Sequence, residues 1–299
     1  MNYFSVFVSS LPGACAQGLA WGIMALGVYL TFRILNTSDL TVDGSLATGG
    51  AVCIALMTAG VNTGIAMLSA VAAGMLAGLV TGLLHTKCGI PAILSGILTQ
   101  LALYSINLRI MGGRANLPIS VDKFSLLVSQ RYVRNLNLKN PIPVFVLIIA
   151  VIITVLYWFF GTELGSSIRA TGNNEHMAKA QGVNTSRNKV FGFCIANGLV
   201  ALSGALIAQY QGAADVNMGR GAIVIGLAAV IISEVLFGKL FKNFSLKMLA
   251  VVLGAVIYYI VLQLVLTMGL NTNDLKLFSA LIVAIFLAIP YIKGGRKDA

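Results

Sequence analysis

Residues 44–84 read GSLATGGAVCIALMTAGVNTGIAMLSAVAAGMLAGLVTGLL, 41 positions without an Asp, Glu, Lys or Arg. About 20 apolar residues, rising ~1.5 Å each, cross a hydrocarbon core ~30 Å thick. The run is therefore twice as long as one crossing needs. It predicts two membrane helices that turn near Val61-Asn62-Thr63.

The rest of the chain repeats the pattern. Further stretches free of charged residues cover 1–32, 88–108, 140–162, 190–214, 248–273 and 277–292, and 221–238 carries only Glu234. Together they predict an all-α, polytopic bundle of nine transmembrane segments in one domain, 1–299, with spans near 11–32, 45–61, 63–84, 91–110, 142–160, 190–209, 221–238, 248–268 and 275–292. Composition agrees. Of 299 residues, 58% are hydrophobic and 10% charged, and mean hydropathy is +0.91. A soluble chain carries about 25% charged residues, so a soluble enzyme, a nucleic-acid binder and a disordered protein are excluded at the outset. The partner that composition does imply is the lipid bilayer.

The net charge is +11. These charges fall between the apolar runs, as loop charges of a membrane protein do, with no aromatic-interleaved basic platform for bases. With the C-terminus inside, the cytoplasmic loops hold twelve basic residues and the outer loops eight. The bias predicts N-out, C-in, with 161–189 cytoplasmic and the basic loop 111–140 outside. That loop reads as an interfacial segment held by Arg131 and Arg134, or as a dock for an acidic protein. The start, Met1-Asn2-Tyr3-Phe4, lacks the basic residues of a cleaved signal peptide.

Cys15, Cys53, Cys88 and Cys194 are widely spaced and read as small packing residues. His85 and His176 stand too far apart for a metal site, and no catalytic triad, phosphate loop or dinucleotide fingerprint occurs. Catalytic and metal-binding residues are therefore expected to be absent. Small residues at spacing four, Gly18 and Gly22, then Gly74, Gly78 and Gly82, predict helices that approach closely. Ala16-Gln17-Gly18-Leu19 and Ala196-Asn197-Gly198-Leu199 open comparable stretches running in opposite directions, the mark of an inverted repeat.

The longest cytoplasmic segment includes Asn173-Asn174-Glu175-His176-Met177-Ala178-Lys179-Ala180-Gln181-Gly182. An Asn N-cap, Glu175 in the first turn and a terminating Gly182 predict a helix of about two turns. Glu175, Ala178 and Gly182 share a face of small residues suited to another protein's groove. A solvated loop with a short helix is the competing reading.

The stretch Ile168–Gly212, IRATGNNEHMAKAQGVNTSRNKVFGFCIANGLVALSGALIAQYQG, resembles the permease subunits of ABC importers of the branched-chain amino acid/ribose type. Their cytoplasmic signature runs L-R-A-x-G-x-N-x-x-A-A-x-x-x-G, and their next span carries A-G-x-A-G-x-L. Asn36–Val52 and Gly89–Gly113 are similar to two further elements of that family. The resemblance assigns ATPase coupling to Arg169, Gly172, Asn174, Glu175, Ala178 and Gly182. One departure stands out: His176-Met177 replace the usual Ala-Ala, and Gly182 follows Glu175 by seven positions instead of six. The resemblance also implies a separate ATPase that consumes ATP, no cofactor on this chain, a second permease copy and an extracytoplasmic solute-binding protein. Ala16–Leu35 and Asp39–Ser45 resemble a subgroup linked to amino acids, aromatic ones such as tryptophan or tyrosine; sugars and nucleosides are the rival solutes.

Candidate path residues are Asp39, Asp43 and Asp215, at span edges beside glycines, and Gln100, Asn107, Asn197 and Gln209 within spans. Ionisable groups in a membrane are costly and tend to line a route. The alternatives are a turn or helix cap for Asp39 and Asp43, and interhelical hydrogen bonds for the amides. Glu234 is expected to pair with Lys239 or to snorkel. An ion-coupled secondary transporter would instead require carboxylates deep in the spans.

Overall fold

The computed structural model describes residues 3–121, 123–133 and 140–267, with 277, 280, 281, 283 and 284. The span expected at 275–292 therefore lies largely outside the described residues. The helices are α1 (Tyr3–Tyr29, continued by a π-helical turn, Leu30–Ile34), α2 (Val42–Thr58), α3 (Thr63–Thr86), α4 (Ala92–Ile110), α5 (Pro141–Gly161), α6 (Glu163–Asn173), α7 (Glu175–Ala180), α8 (Thr185–Gln211), α9 (Ala222–Phe237) and α10 (Phe244–Thr267). Two short strands, β1 (Asn116–Pro118) and β2 (Ala213–Asp215), pair antiparallel. Among the described residues six helices are long and apolar enough to cross a membrane; α2 and α9 are apolar but shorter, with 17 and 16 residues.

Helix ends follow from sequence chemistry. Asn62 accepts a hydrogen bond from Gly64 N (2.9 Å) to start α3, so the long run turns where the sequence predicts. Asn140 accepts one from Ile142 N (3.0 Å), with Pro141 at the first turn of α5. Asn184 accepts one from Arg187 N (3.1 Å) to start α8.

Helix directions explain why α2 and α9 are short. α1 and α8 run antiparallel: the Ser203 hydroxyl donates to the Ala20 carbonyl (2.8 Å), and Gly27 faces Ala196 and Val200. α2 lies parallel to α8, with Ser45 donating to Asn197 (2.6 Å) and Gln209 donating to the Cys53 sulfur (3.4 Å) further along. α9 lies parallel to α1, where Gly226 rests on Met24 and Val28 and Glu234 meets Arg33. The two short helices thus point away from each other, and their N-termini meet. Asn197 stands near the middle of the 27-residue α8, so that meeting point is near mid-bundle. Residues 35–41 enter it from one side and 212–221 from the other. Irregular backbone at such depth is tolerated where it is buried in protein or lines a cavity.

The packing is reciprocal. Gly74, Gly78 and Gly82 of α3 lie against Asn197, Phe193 and Val190 of α8, while Gly18 and Gly22 of α1 lie against Val256 and Val252 of α10. A β-carbon at Gly78 would strike the Phe193 carbonyl, so only glycine permits this approach. The first helix of each half, α1 or α8, thereby carries the third helix of the other half. This is the exchange an inverted repeat requires.

The structure corrects three sequence expectations. The loop 111–140 does more than lie at the interface: β1 pairs with β2, Leu127 N donates to the Gln209 side-chain oxygen (3.0 Å), and Val128 is buried in the core. Strand pairing between segments about a hundred positions apart leaves no local signal. Arg134 lies outside the described residues. Glu234 pairs with Arg33 rather than Lys239, because α9 descends beside α1. Segment 161–189 holds two whole helices and the start of α8, not one helix, since Thr162 caps α6 through Gly165 N (3.4 Å). Trp21 packs against Tyr259, with ring centroids 6.0 Å apart.

Candidate functional site

Two sites emerge, joined by a continuous line of contacts. The first is the α6–α7 module. Asn174 caps α7 by accepting from Met177 N (3.0 Å), as its sequence position predicts. Glu175 binds Lys189 (2.7 Å) and Lys179 (3.0 Å) and accepts from Thr185 (3.3 Å). The Lys189 hydrogen bond, followed by that of Lys179, holds its carboxyl at about 2, far below the ordinary 4.5. Glu175 therefore fastens α7 to the start of α8. Arg169 stacks on the Phe244 ring, 5.8 Å from its centroid. Asn188 donates to Ser167 (2.7 Å) and Thr171 (2.9 Å), tying α6 to α8.

The small face expected to meet a partner is turned inward. Ala178 is only 4% exposed and its carbonyl accepts from Val183 N (3.0 Å). Gly182 has open space around it and φ +79°; it terminates α7 instead of admitting a close neighbour. The outward knob is Met177, 64% exposed, which sequence spacing passed over. Gly172 is the residue that needs to be small: a β-carbon there would strike the Ile34 carbonyl, and Leu35 Cα lies 2.8 Å from the same position. The module is seated on the π-helical turn, whose continuation is the 35–41 segment.

The second site is the junction of α2 and α9. Asp43 Oδ2 accepts from Gly221 N (2.9 Å) and Oδ1 from Ile223 N (3.0 Å). Asp43 lies in the first turn of α2 but caps α9, a role no local pattern encodes. Asp39 accepts from Thr41 N (2.9 Å) and from Asn197 (2.7 Å), so it pins the re-entrant segment to α8. Asn197 also accepts from Ser45, Gln209 joins α2 to the outer loop, and Asp215 accepts from Asn217 N (2.6 Å) beside β2. These four residues are engaged internally, Asn197 and Gln209 through hydrogen bonds between segments. Asp43, Gln100 and Asn107 behave differently, since all three line one cavity of about 350 Å³ with Tyr104 and Arg220. Arg220, counted in the sequence only as a loop charge, was legible as an arginine between Gly219 and Gly221 in an apolar setting.

Among the described residues no cluster of three metal-ligating side chains occurs. Residues 12–290 match the family described as branched-chain amino acid transport system / permease component. A tyrosine transport system permease protein of Clostridioides difficile (strain R20291) is 39% identical over 281 residues, 94% of this chain and 91% of that protein. A ribose import permease protein of Escherichia coli (strain K12) is 27% identical over 77% of this chain and 70% of its own. A solved structure, PsaBC from Streptococcus pneumoniae in complex with Fab, shares the fold, with TM-score 0.56, 16% identity, and 96% and 95% of the two chains covered. Spans, re-entrant junction and relatives agree: the chain belongs to the branched-chain amino acid transport system permease family and is a multi-pass inner-membrane permease subunit of an ABC-type transport system rather than an enzyme.

Proposed function

We propose that this permease imports an amino acid, with tyrosine or tryptophan favoured, and that α6–α7 is its contact with a separate ATPase. The ATPase binds and hydrolyses ATP; this chain binds no cofactor. A second copy completes the pathway, and an extracytoplasmic binding protein delivers solute to the side bearing β1 and β2. The α6–α7 side is cytoplasmic. The observation that carries this reading is the seating of Gly172 on Ile34, which links an exposed module to the segment entering the mid-bundle junction. Moving the module would move the junction, and the bundle would alternate between two states biased by the ATPase. The resemblance of the opening span and the tyrosine-system relative favour an aromatic amino acid; the ribose relative keeps sugar as the rival solute.

Coexpression with the partner ATPase and binding protein tests the reading. Tyrosine or tryptophan should accumulate in an ATP-dependent way and should not be displaced by ribose. Met177→Glu should abolish copurification of the ATPase without lowering the permease level. Uptake that follows an ion gradient in the absence of the ATPase would make the chain a secondary transporter instead.

A further inference from the structure

The cavity beside the α2–α9 junction carries one residue that the fold does not explain. Asn107 is 1% exposed, and neither its amide nitrogen nor its amide oxygen has a hydrogen-bond partner. A buried polar group left unpaired costs roughly 1–3 kcal/mol. The helix offers no compensation, since Asn is a weak helix former. Gln100, Tyr104 and Asn107 stand at i, i+4 and i+7 and so form one stripe of α4 lining the cavity. Across from them are Asp43 and Arg220. Among the described residues Arg220 has no ion-pair partner, yet it sits on the re-entrant segment directly before α9. Arg220 is exposed, so its guanidinium is free to meet an anionic group in the cavity that it lines. Asp43 uses one lone pair of each oxygen for the α9 cap, so each oxygen retains acceptor capacity.

We infer that this cavity is a solute subsite for a zwitterionic amino acid, with Arg220 taking the carboxylate, Asp43 the ammonium and Asn107 a polar group of the side chain. The charge pattern is one fixed cation and one fixed anion, which matches both charges of a zwitterion, whereas a neutral sugar would meet it through hydrogen bonds alone. At about 350 Å³ the cavity falls at the small end of ligand sites, consistent with a single amino acid. Tyr104 and Leu101, both substantially exposed on the open side, supply an apolar wall for an aromatic ring. The inference rests on the amino-acid reading of the preceding section and names the residues that would enforce it.

Transport by the complete system in proteoliposomes, with binding protein, ATPase and labelled tyrosine, tests it. Asn107→Leu is the decisive variant. It removes an unsatisfied buried amide, so the thermal midpoint of the purified complex should stay level or rise, while tyrosine uptake falls at least tenfold. A structural role for Asn107 would move stability the other way. Arg220→Gln should lose uptake by tenfold or more with the ATPase still copurifying and tyrosine affinity of the binding protein unchanged; Arg220→Lys should recover part of it. If wild type imports tyrosine and both Asn107→Leu and Arg220→Gln match its rate, the subsite is wrong and the amino-acid reading stands. If wild type imports ribose and no amino acid, the amino-acid reading fails and the zwitterion subsite fails with it.

Discussion

At the scale of single residues, the chemistry of α7 is dominated by Glu175. Its carboxyl ionises at about 2 in the folded chain, against 4.5 ordinarily, because Lys189 and Lys179 donate to it. A lowered folded value means the ion pairs stabilise α7 fully above about 4.5, and that this contribution is lost as pH falls from there through about 2. Glu175 is about a third exposed, so solvent screens the pair and the effect is local. Hydrogen exchange of the α7 amides should therefore be faster in Glu175→Gln than in wild type at pH 7, with the gap persisting at pH 4. Equal exchange at both pH values would show that Glu175 contributes nothing to holding α7. Gly182 makes a different demand. At φ +79° a side chain with a β-carbon is strained by roughly 1–2 kcal/mol, and Asn is tolerated better than most. Gly182→Leu should weaken ATPase copurification and transport, whereas Gly182→Asn should keep most of both; equal loss in the two would point to contact rather than conformation.

At the scale of elements, the glycine stripes were legible because period four is a property of one helix. Gly74, Gly78 and Gly82 fall on α8 as that period requires. The turn before α3 and the N-cap of α7 were legible for the same local reason. What the sequence hid is contact between distant segments: Asp43 capping α9, β1 pairing with β2, Glu234 finding Arg33. Each needs two elements placed by the whole fold. The inward turn of Ala178 was hidden because helical spacing defines a face without saying what covers it. Asp43→Leu should remove two hydrogen bonds to the α9 N-terminus, a loss of about 1–2 kcal/mol for a cap of this kind. Gly78→Leu should cost more, since its side chain meets the Phe193 carbonyl and backbone rather than a flexible tip. Thermal unfolding of the detergent-purified protein should rank wild type above Asp43→Leu and Asp43→Leu above Gly78→Leu. A Gly78→Leu protein as stable as wild type would mean that α3 and α8 do not pack this closely.

For the whole molecule, the important relation is between the α6–α7 end of the bundle and the junction near its middle. The α6–α7 module touches the π-helical turn through Gly172, and the 35–41 segment then leads through Asp39 and Asn197 to the N-terminus of α2, where Asp43 holds α9. Such a chain transmits motion only if the module lies on the side where the ATPase is, so the functional argument stands or falls with orientation. Orientation is carried by loop charge, twelve basic residues against eight, a modest excess for the positive-inside rule. The test uses single cysteines on a chain whose exposed native thiol, Cys88, is replaced by serine. Ser186→Cys suits the α7 side better than a change at Asn184, which caps α8. Asn116→Cys suits the other side, being exposed on β1. In intact cells a membrane-impermeant maleimide should modify Asn116→Cys and leave Ser186→Cys unmodified until the membrane is permeabilised. The reverse pattern would put α6–α7 outside, beyond the reach of a cytoplasmic ATPase, and would overturn the coupling role of Gly172 together with the direction of transport.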